Sequence, residues 1–368
     1  MKLYIISGEA SGDLHASNLL KALKSRQSNI QCRAWGGEQL ELAGAELVKH
    51  YKDLAFMGFL EVAMNIRTIL NNIKFCKEDI LDYQPDALVL VDYPGFNLRI
   101  AEWAKKRGIK VFYYISPQIW AWKSSRVHKI ANSTDCVFAI LPFEKPFYQK
   151  YGYDAEFVGH PLLDVVDSYE SEPLETTHDN KIIALLPGSR KQEISKILPK
   201  MLKVLESYHD YQFIIAAAPS QAIEYYHQFI PKHLLEENRL SIVQGQTYSL
   251  LKRSYAALVA SGTATLETAL FNVPQIVCYE TSTFSYEIAK RLVKIKYISL
   301  VNLIADKGIV TELIQKNFNT SNLKSGLEII LSEEGRANML TEYQELREKL
   351  GNAGASDKTA KKILQLMN

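Results

Sequence analysis

Ser261-Gly262-Thr263-Ala264-Thr265, with Glu267 two residues on, could hold a nucleoside diphosphate. An apolar run, Ala256–Ala260, precedes this group, and Leu266, Ala269 and Leu270 follow at helical spacing. A turn so placed meets the N-terminus of a helix, where free N–H groups and the positive end of the helix dipole attract an anion. Gly262 adds no bulk, so a diphosphate can approach the backbone, and the carboxylate of Glu267 can accept from ribose hydroxyls. The same residues also fit an ordinary glycine-containing turn capped by threonine.

Arg190 has a similar setting. It ends Pro187-Gly188-Ser189-Arg190, between the strand-like Lys181–Leu186 and a helical segment, and can neutralise a phosphate or a leaving diphosphate. Gly245 and Tyr248, beyond the apolar run Leu240–Gln244, would line the same crevice with the Gly262 turn, giving room for a base, a ribose and a diphosphate. Asn302, in Tyr297–Leu303, has a loop-like setting in which its amide can meet a nucleotide or sugar hydroxyl, and Glu312 is expected on a short helix.

The first half of the chain offers a base. Asp92 directly follows Ala-Leu-Val-Leu-Val, and Pro94 and Gly95 stop the strand from continuing. A carboxylate there can act as a general base, or cap a helix. Ser116-Pro117-Gln118-Ile119-Trp120-Ala121-Trp122 is a rigid aromatic loop suited to sugar or acyl contacts, or to packing. Ser7–Asp13, which includes Ser11, is a loop between strand and helix that lacks the dinucleotide-binding glycine spacing; its acids Glu9 and Asp13 would repel a pyrophosphate, so an acceptor-side loop is expected. His160, in Gly159-His160-Pro161, is a lone histidine, more often structural than catalytic.

These residues must be positioned by strands. Leu3–Ile6, Ala87–Val91, Val111–Ile115, Cys136–Leu141 and Phe157–Val158, then Lys181–Leu186, Tyr211–Ala218, Leu240–Gln244, Ala256–Ala260 and Gln275–Tyr279, are apolar runs separated by helical segments. That pattern implies α/β architecture with buried parallel sheets, whose ligands lie beyond the strand C-termini. The acidic, polar stretch Asp167–Asn180 marks a boundary. The expected organisation is an acceptor- and membrane-facing domain over 1–166, a linker over 167–180, a nucleotide-sugar domain over 181–340, and a helical tail over 341–368 that packs back on the first domain or on a partner subunit.

The chain has 368 residues, 47% hydrophobic and 23% charged, enough for about two ordinary cores. A net charge of +2 does not suggest a nucleic-acid partner. The four cysteines, Cys32, Cys76, Cys136 and Cys278, form no CxxC pair and suit a reducing compartment better than a metal site. No signal peptide or spanning segment is expected. In Phe56–Leu70 apolar residues sweep well over half of a helix circumference. Phe56, Met57, Phe59, Leu60 and Met64 would face acyl chains or lipid headgroups there, unless a partner copy or the domain's own interior covers them. Lys74 and Lys77 follow, and Lys105, Lys106 and Arg107 form a second basic cluster, which suits an anionic bilayer or an anionic lipid substrate.

Taken together, Ser7–Asp13 (SGEASGD), Ser116–Trp122 (SPQIWAW), Leu141–Tyr148 (LPFEKPFY), Leu185–Arg190 (LLPGSR), Ser261–Glu267 (SGTATLE), Ala289–Lys294 (AKRLVK) and Tyr297–Ile304 (YISLVNLI) resemble the lipid-A-disaccharide synthases, in order and across nearly the whole chain. The resemblance implies a GT-B glycosyltransferase, with two Rossmann-like domains whose parallel sheets face across a cleft. It implies that UDP-2,3-diacylglucosamine and 2,3-diacylglucosamine 1-phosphate (lipid X) give the β(1→6) lipid A disaccharide and UDP, at the cytoplasmic face of the inner membrane. UDP contacts carry over to Arg190, Gly262–Thr265, Glu267 and Asn302, and an essential acid to Asp92. Two positions depart from the family pattern: Val301 and Thr311 stand where proline is often found.

The expected mechanism is a single inverting displacement without metal or cofactor, since backbone dipoles and Arg190 can stabilise the leaving diphosphate. The expected partners are the two acylated sugars, the membrane surface and a second copy of the chain as a homodimer. Two other readings are a different GT-B enzyme (a UDP-N-acetylglucosamine 2-epimerase or another lipid-acceptor transferase) and a non-catalytic UDP-sugar-binding or scaffold protein.

Overall fold

The computed structural model describes residues 1–54, 66–122, 126–170, 173–174, 181–236, 239–282, 286–287 and 296–367. They form two compact units, Met1–Asp164 with Asn352–Asn368, and Val165–Gly351. Phe56, Met57, Phe59, Leu60 and Met64 lie outside the described residues, as does the AKRLVK segment. The last residues of Phe56–Leu70 open the helix Ile66–Tyr83.

The first unit is built on strands β1 (Lys2–Ser7), β2 (Gln31–Gly36), β3 (Glu46–His50), β4 (Ala87–Val91), β5 (Lys110–Tyr114), β6 (Cys136–Ala139) and β7 (Glu156–Phe157). They pair in the order β3-β2-β1-β4-β5-β6-β7, all parallel. Every residue of β4 is buried, as a strand covered by helices on both faces requires. Tyr4, Trp35, Leu88, Leu90 and Tyr113 belong to one continuous core. The strands β2 and β3 carry no unbroken apolar run, and their polar residues hide them from a reading based on hydropathy.

Two carboxylates brace this unit. Asp13 accepts from the N–H groups of Gly37 (2.7 Å), Gln39 (3.0 Å) and Leu40 (3.3 Å), holding the start of the helix Glu38–Leu42. Asp164 accepts from the N–H groups of Gly354, Ala355 and Ser356, at the start of the helix Ala355–Met367. Arg26 pairs with Asp357 of that helix at 2.6 Å, so the end of the chain packs on the first unit.

The second unit contains β8 (Lys181–Leu186), β9 (Tyr211–Ala217), β10 (Leu240–Gln244), β11 (Ser254–Ala260), β12 (Gln275–Tyr279) and β13 (Thr311–Ile314), paired in the order β10-β9-β8-β11-β12-β13, again all parallel. Both units are thus Rossmann-like. Four local expectations are corrected: where loops are expected, Ala10–Asp13 belong to the helix Ala10–Arg26 and Ile119–Trp122 form a short helix. Glu312 lies on β13, not on a helix; this four-residue edge strand pairs with β12 alone and has only Leu313 buried, too little to stand out as an apolar run. Asn302 is not in a loop but within the helix Leu300–Ala305, where the Ser299 hydroxyl caps the Asn302 N–H.

Candidate active site

Strand order locates the ligand sites of parallel sheets. A crevice opens where neighbouring strands send their chains in opposite directions across the sheet, beyond the strand C-termini. In the first unit that point lies between β1 and β4, and in the second between β8 and β11.

In the first unit Ser7 ends β1, Gly8 and Glu9 make the connection, and Ala10–Asp13 already form the first turn of the helix Ala10–Arg26; Asp92 follows β4. Asp92 has φ 44°, Tyr93 φ 49° and, at the end of β5, Ile115 φ 61°. Left-handed conformations of non-glycine residues cost about 1–3 kcal/mol each and persist only where their surroundings enforce them. The Tyr93 ring fills the space over Gly8, where an added Cβ would lie 2.4 Å from it. Burial pushes the Asp92 carboxyl up to about 7, and the negative charge of Glu9 adds to the shift. A general base works best with its pKa near the working pH.

Ser11 is exposed in the first turn of the helix Ala10–Arg26, and Gln118 is exposed after β5. The indole N–H of Trp120 donates to Glu144 at 3.3 Å, and its ring packs edge-on against Phe143. Glu144 is buried and also accepts from the N–H groups of Ile140 and Leu141, both at 2.9 Å. Trp120 is thereby fixed by packing and by a buried carboxylate. His160 is buried; its Nδ1 accepts from the N–H of Leu162 at 3.2 Å, and burial pushes its pKa down to about 3, so it is neutral at physiological pH.

In the second unit, Arg190 follows β8 and precedes the helix Lys191–Leu202. Its guanidinium lies 3.2 Å from Glu193, which keeps it on the exposed side of the turn. Gly188, with φ 104°, leaves room for Glu193; a Cβ there would lie 2.6 Å from that carboxylate. After β11, Gly262 caps the helix Thr263–Leu270. The Gly262 carbonyl accepts from the Thr265 N–H (3.2 Å) and hydroxyl (2.8 Å), which closes the turn. Gly262 and Thr263 are exposed and Ala264 is partly buried, so the open side of the turn is the helix N-terminus.

Glu267 is pushed up to about 7 by burial, while a hydrogen bond from Tyr248 favours its ionised form. Tyr248 packs with Tyr169 and Phe271, and the exposed Gly245 stands just ahead of it with φ 75°. The amide of Asn302 is committed internally: it donates to the Val310 carbonyl and to Glu312, and accepts from the Val310 N–H, each at 2.9 Å. Glu312 also accepts from Ile298 N–H and from the N–H and hydroxyl of Ser299. The Ser261 hydroxyl donates to the Ile298 carbonyl at 3.2 Å. Asn302 and Glu312 thus brace the segment that supports the Gly262 turn. Sequence reasoning missed this bracing, because it depends on β13, and missed Glu144, whose only signal is its place in the LPFEKPFY segment.

Among the described residues no group of three or more His, Cys, Asp or Glu side chains could hold a metal ion. No helix among them is long and apolar enough to cross a membrane.

The family model described as "Lipid-A-disaccharide synthetase" matches residues 3–366. A lipid-A-disaccharide synthase of Syntrophus aciditrophicus is 40% identical over 374 residues, covering 99% of this chain and 97% of that protein. A lipid-A-disaccharide synthase of Psychromonas ingrahamii is 36% identical, covering 100% of this chain and 98% of that protein. Among solved structures, the S. aureus MnaA-UDP co-structure superposes with TM-score 0.68 at 16% identity, covering 100% of this chain and 97% of that one. A UDP-GlcNAc 2-epimerase from Neisseria meningitidis bound to UDP-GlcNAc gives TM-score 0.62 at 14% identity, covering 100% and 99%. At such identities these two share the fold alone.

Proposed function

The chain belongs to the lipid-A-disaccharide synthase family, and on that premise we propose how its residues carry out the reaction. It is a glycosyltransferase of lipid A biosynthesis that acts on a UDP-sugar and a lipid acceptor. UDP-2,3-diacylglucosamine is joined to 2,3-diacylglucosamine 1-phosphate, giving the β(1→6) disaccharide 1-phosphate and UDP. The observation that carries the division of labour is the position of the three key groups. Asp92, Arg190 and the Gly262 turn all stand at the points where strand order reverses in their sheets.

In the mechanism, the acceptor 6-hydroxyl attacks the anomeric carbon of the donor from the face opposite UDP. The new C–O bond forms as the bond to the diphosphate breaks, and Asp92 takes the hydroxyl proton. Arg190 and the N–H groups of the helix Thr263–Leu270 stabilise the charge that gathers on the diphosphate. Glu267 holds the ribose, with Gly245 and Tyr248 beside the nucleoside. Asn302 supports the turn through its buried hydrogen bonds, and Ser11 and Gln118 contact the acceptor.

Acceptor dependence tests this reading against the epimerase alternative. UDP release should rise at least about 100-fold when the acylated acceptor is added, and a deacylated acceptor should not replace it. Equal UDP release without any acylated acceptor would contradict the reading.

Because both substrates carry acyl chains, the protein works at the cytoplasmic face of the inner membrane, touching it through Phe56, Met57, Phe59, Leu60 and Met64. It should float with vesicles that contain anionic lipid and be partly released by high salt. Failure to float with any vesicle composition would remove the membrane contact and leave a partner copy or the domain's own interior as the cover for these residues.

A further inference from the structure

The conformation of Asp92 is held from outside its own strand. Two side chains from two different elements converge on its carbonyl oxygen: Nδ2 of Asn97, at 2.8 Å from the helix Pro94–Lys105, and the hydroxyl of Tyr113, at 2.6 Å from β5. Both residues are fully buried. The Asn97 amide also reaches the carbonyls of Val91 (3.2 Å) and Ile6 (3.4 Å), at the ends of β4 and β1. On the other side of the residue, the Asp92 N–H donates to Ile115 at 3.2 Å, and Ile115 is itself left-handed. Neighbouring elements thus grip the Asp92 peptide groups on both sides.

Two uncharged donors inside a hydrophobic core are costly unless they bond well, and a strand end needs only one donor for its last carbonyl. Here the Tyr113 hydroxyl and the shortest of the Asn97 amide's hydrogen bonds both go to the carbonyl of one strained residue. We infer that Asn97 and Tyr113 are positioning residues that lock Asp92 in its left-handed conformation and so aim its carboxylate at the acceptor hydroxyl. The inference rests on Asp92 as the base.

The groups that bear on the Asp92 carboxyl are Glu9 from the loop after β1, Tyr93 beside it and Tyr113 from β5, with Arg126 acting on Tyr113. Tyr113→Phe leaves Glu9, Tyr93 and Arg126 in place and keeps the ring in the core; it removes the hydroxyl, and with it the hydrogen bond donated to the Asp92 carbonyl and the contact with the Asn97 side chain. With the carbonyl released, the carboxylate can swing toward water.

The test compares wild type, Tyr113→Phe, Asn97→Ser and Asp92→Asn in turnover, pH profile and melting temperature. Tyr113→Phe should lower kcat about ten-fold with the KM for the UDP-sugar within about two-fold. The pH midpoint of kcat/KM should move down from about 7 toward the ordinary carboxylate range as burial is relieved. Asn97→Ser should act in the same direction; if it does not fold, Tyr113→Phe decides alone. If Asp92→Asn is inactive and Tyr113→Phe keeps the wild-type midpoint, the positioning inference is overturned while the base remains, even if kcat falls in step with melting temperature. If Asp92→Asn keeps its turnover, the base assignment itself fails.

Discussion

Replacing Asp92 by Asn should lower kcat by roughly 10³, within the range expected when a general base is lost, while UDP affinity stays at the wild-type value. The two effects separate because Asp92 belongs to the first unit and the residues assigned to UDP belong to the second. Asn keeps the size of Asp and a side chain that can still hydrogen-bond, so the left-handed backbone at this position is tolerated. What is lost is the ability to take a proton. Calorimetric titration with UDP and steady-state kinetics on one preparation read both quantities. Wild-type turnover in the variant would remove the base.

The pH profile adds a signed check. As the proposed base, Asp92 acts only when ionised, and burial and Glu9 together raise its pKa to about 7. Activity should therefore climb as pH rises through about 7 and then level off. Glu9→Gln removes the repelling charge, so ionisation becomes easier and the midpoint should fall. A midpoint that stays put or rises in Glu9→Gln would contradict the electrostatic account.

The second large effect concerns the donor turn. A Cβ added at Gly262 meets no protein atom within 4 Å, and φ 165° is extended backbone open to any residue. Gly262→Val should thus leave the fold unstrained and put its bulk only where the diphosphate is expected. UDP binding should weaken about 100-fold, equivalent to ~2.7 kcal/mol, with an unchanged melting temperature. The result to compare is Gly188→Ala, where φ is 104° and the new Cβ would press on Glu193. That substitution should lower stability as well as binding. If Gly262→Val binds UDP normally, the diphosphate is held elsewhere.

Much of this arrangement was legible in the sequence for a simple physical reason. A central strand of a parallel sheet is buried on both faces, so Ala87–Val91, Lys181–Leu186 and Ala256–Ala260 read as apolar runs, and the residue types that follow them reveal the turns. Edge strands lack that signature. Glu46–His50 and Thr311–Ile314 each have a single neighbouring strand and a mostly half-exposed pattern, which is why the strand that carries Glu312 does not show in the sequence. The helical setting of Asn302 is hidden for a related reason: an exposed loop amide and a buried one have the same letter, and only the partners Val310 and Glu312 tell them apart. The support around Asp92 was invisible because Asn97 reaches back to Ile6, a contact set by strand order that no local window contains.

The most direct measurement is the product itself. The purified protein, incubated with UDP-2,3-diacylglucosamine and 2,3-diacylglucosamine 1-phosphate, should yield by mass spectrometry a disaccharide monophosphate in equal amount to UDP. Proton NMR should show a β(1→6) linkage, and omission of either substrate should abolish the product. An α linkage, a 2-epimerised UDP-sugar, or UDP formed with no disaccharide would contradict the account.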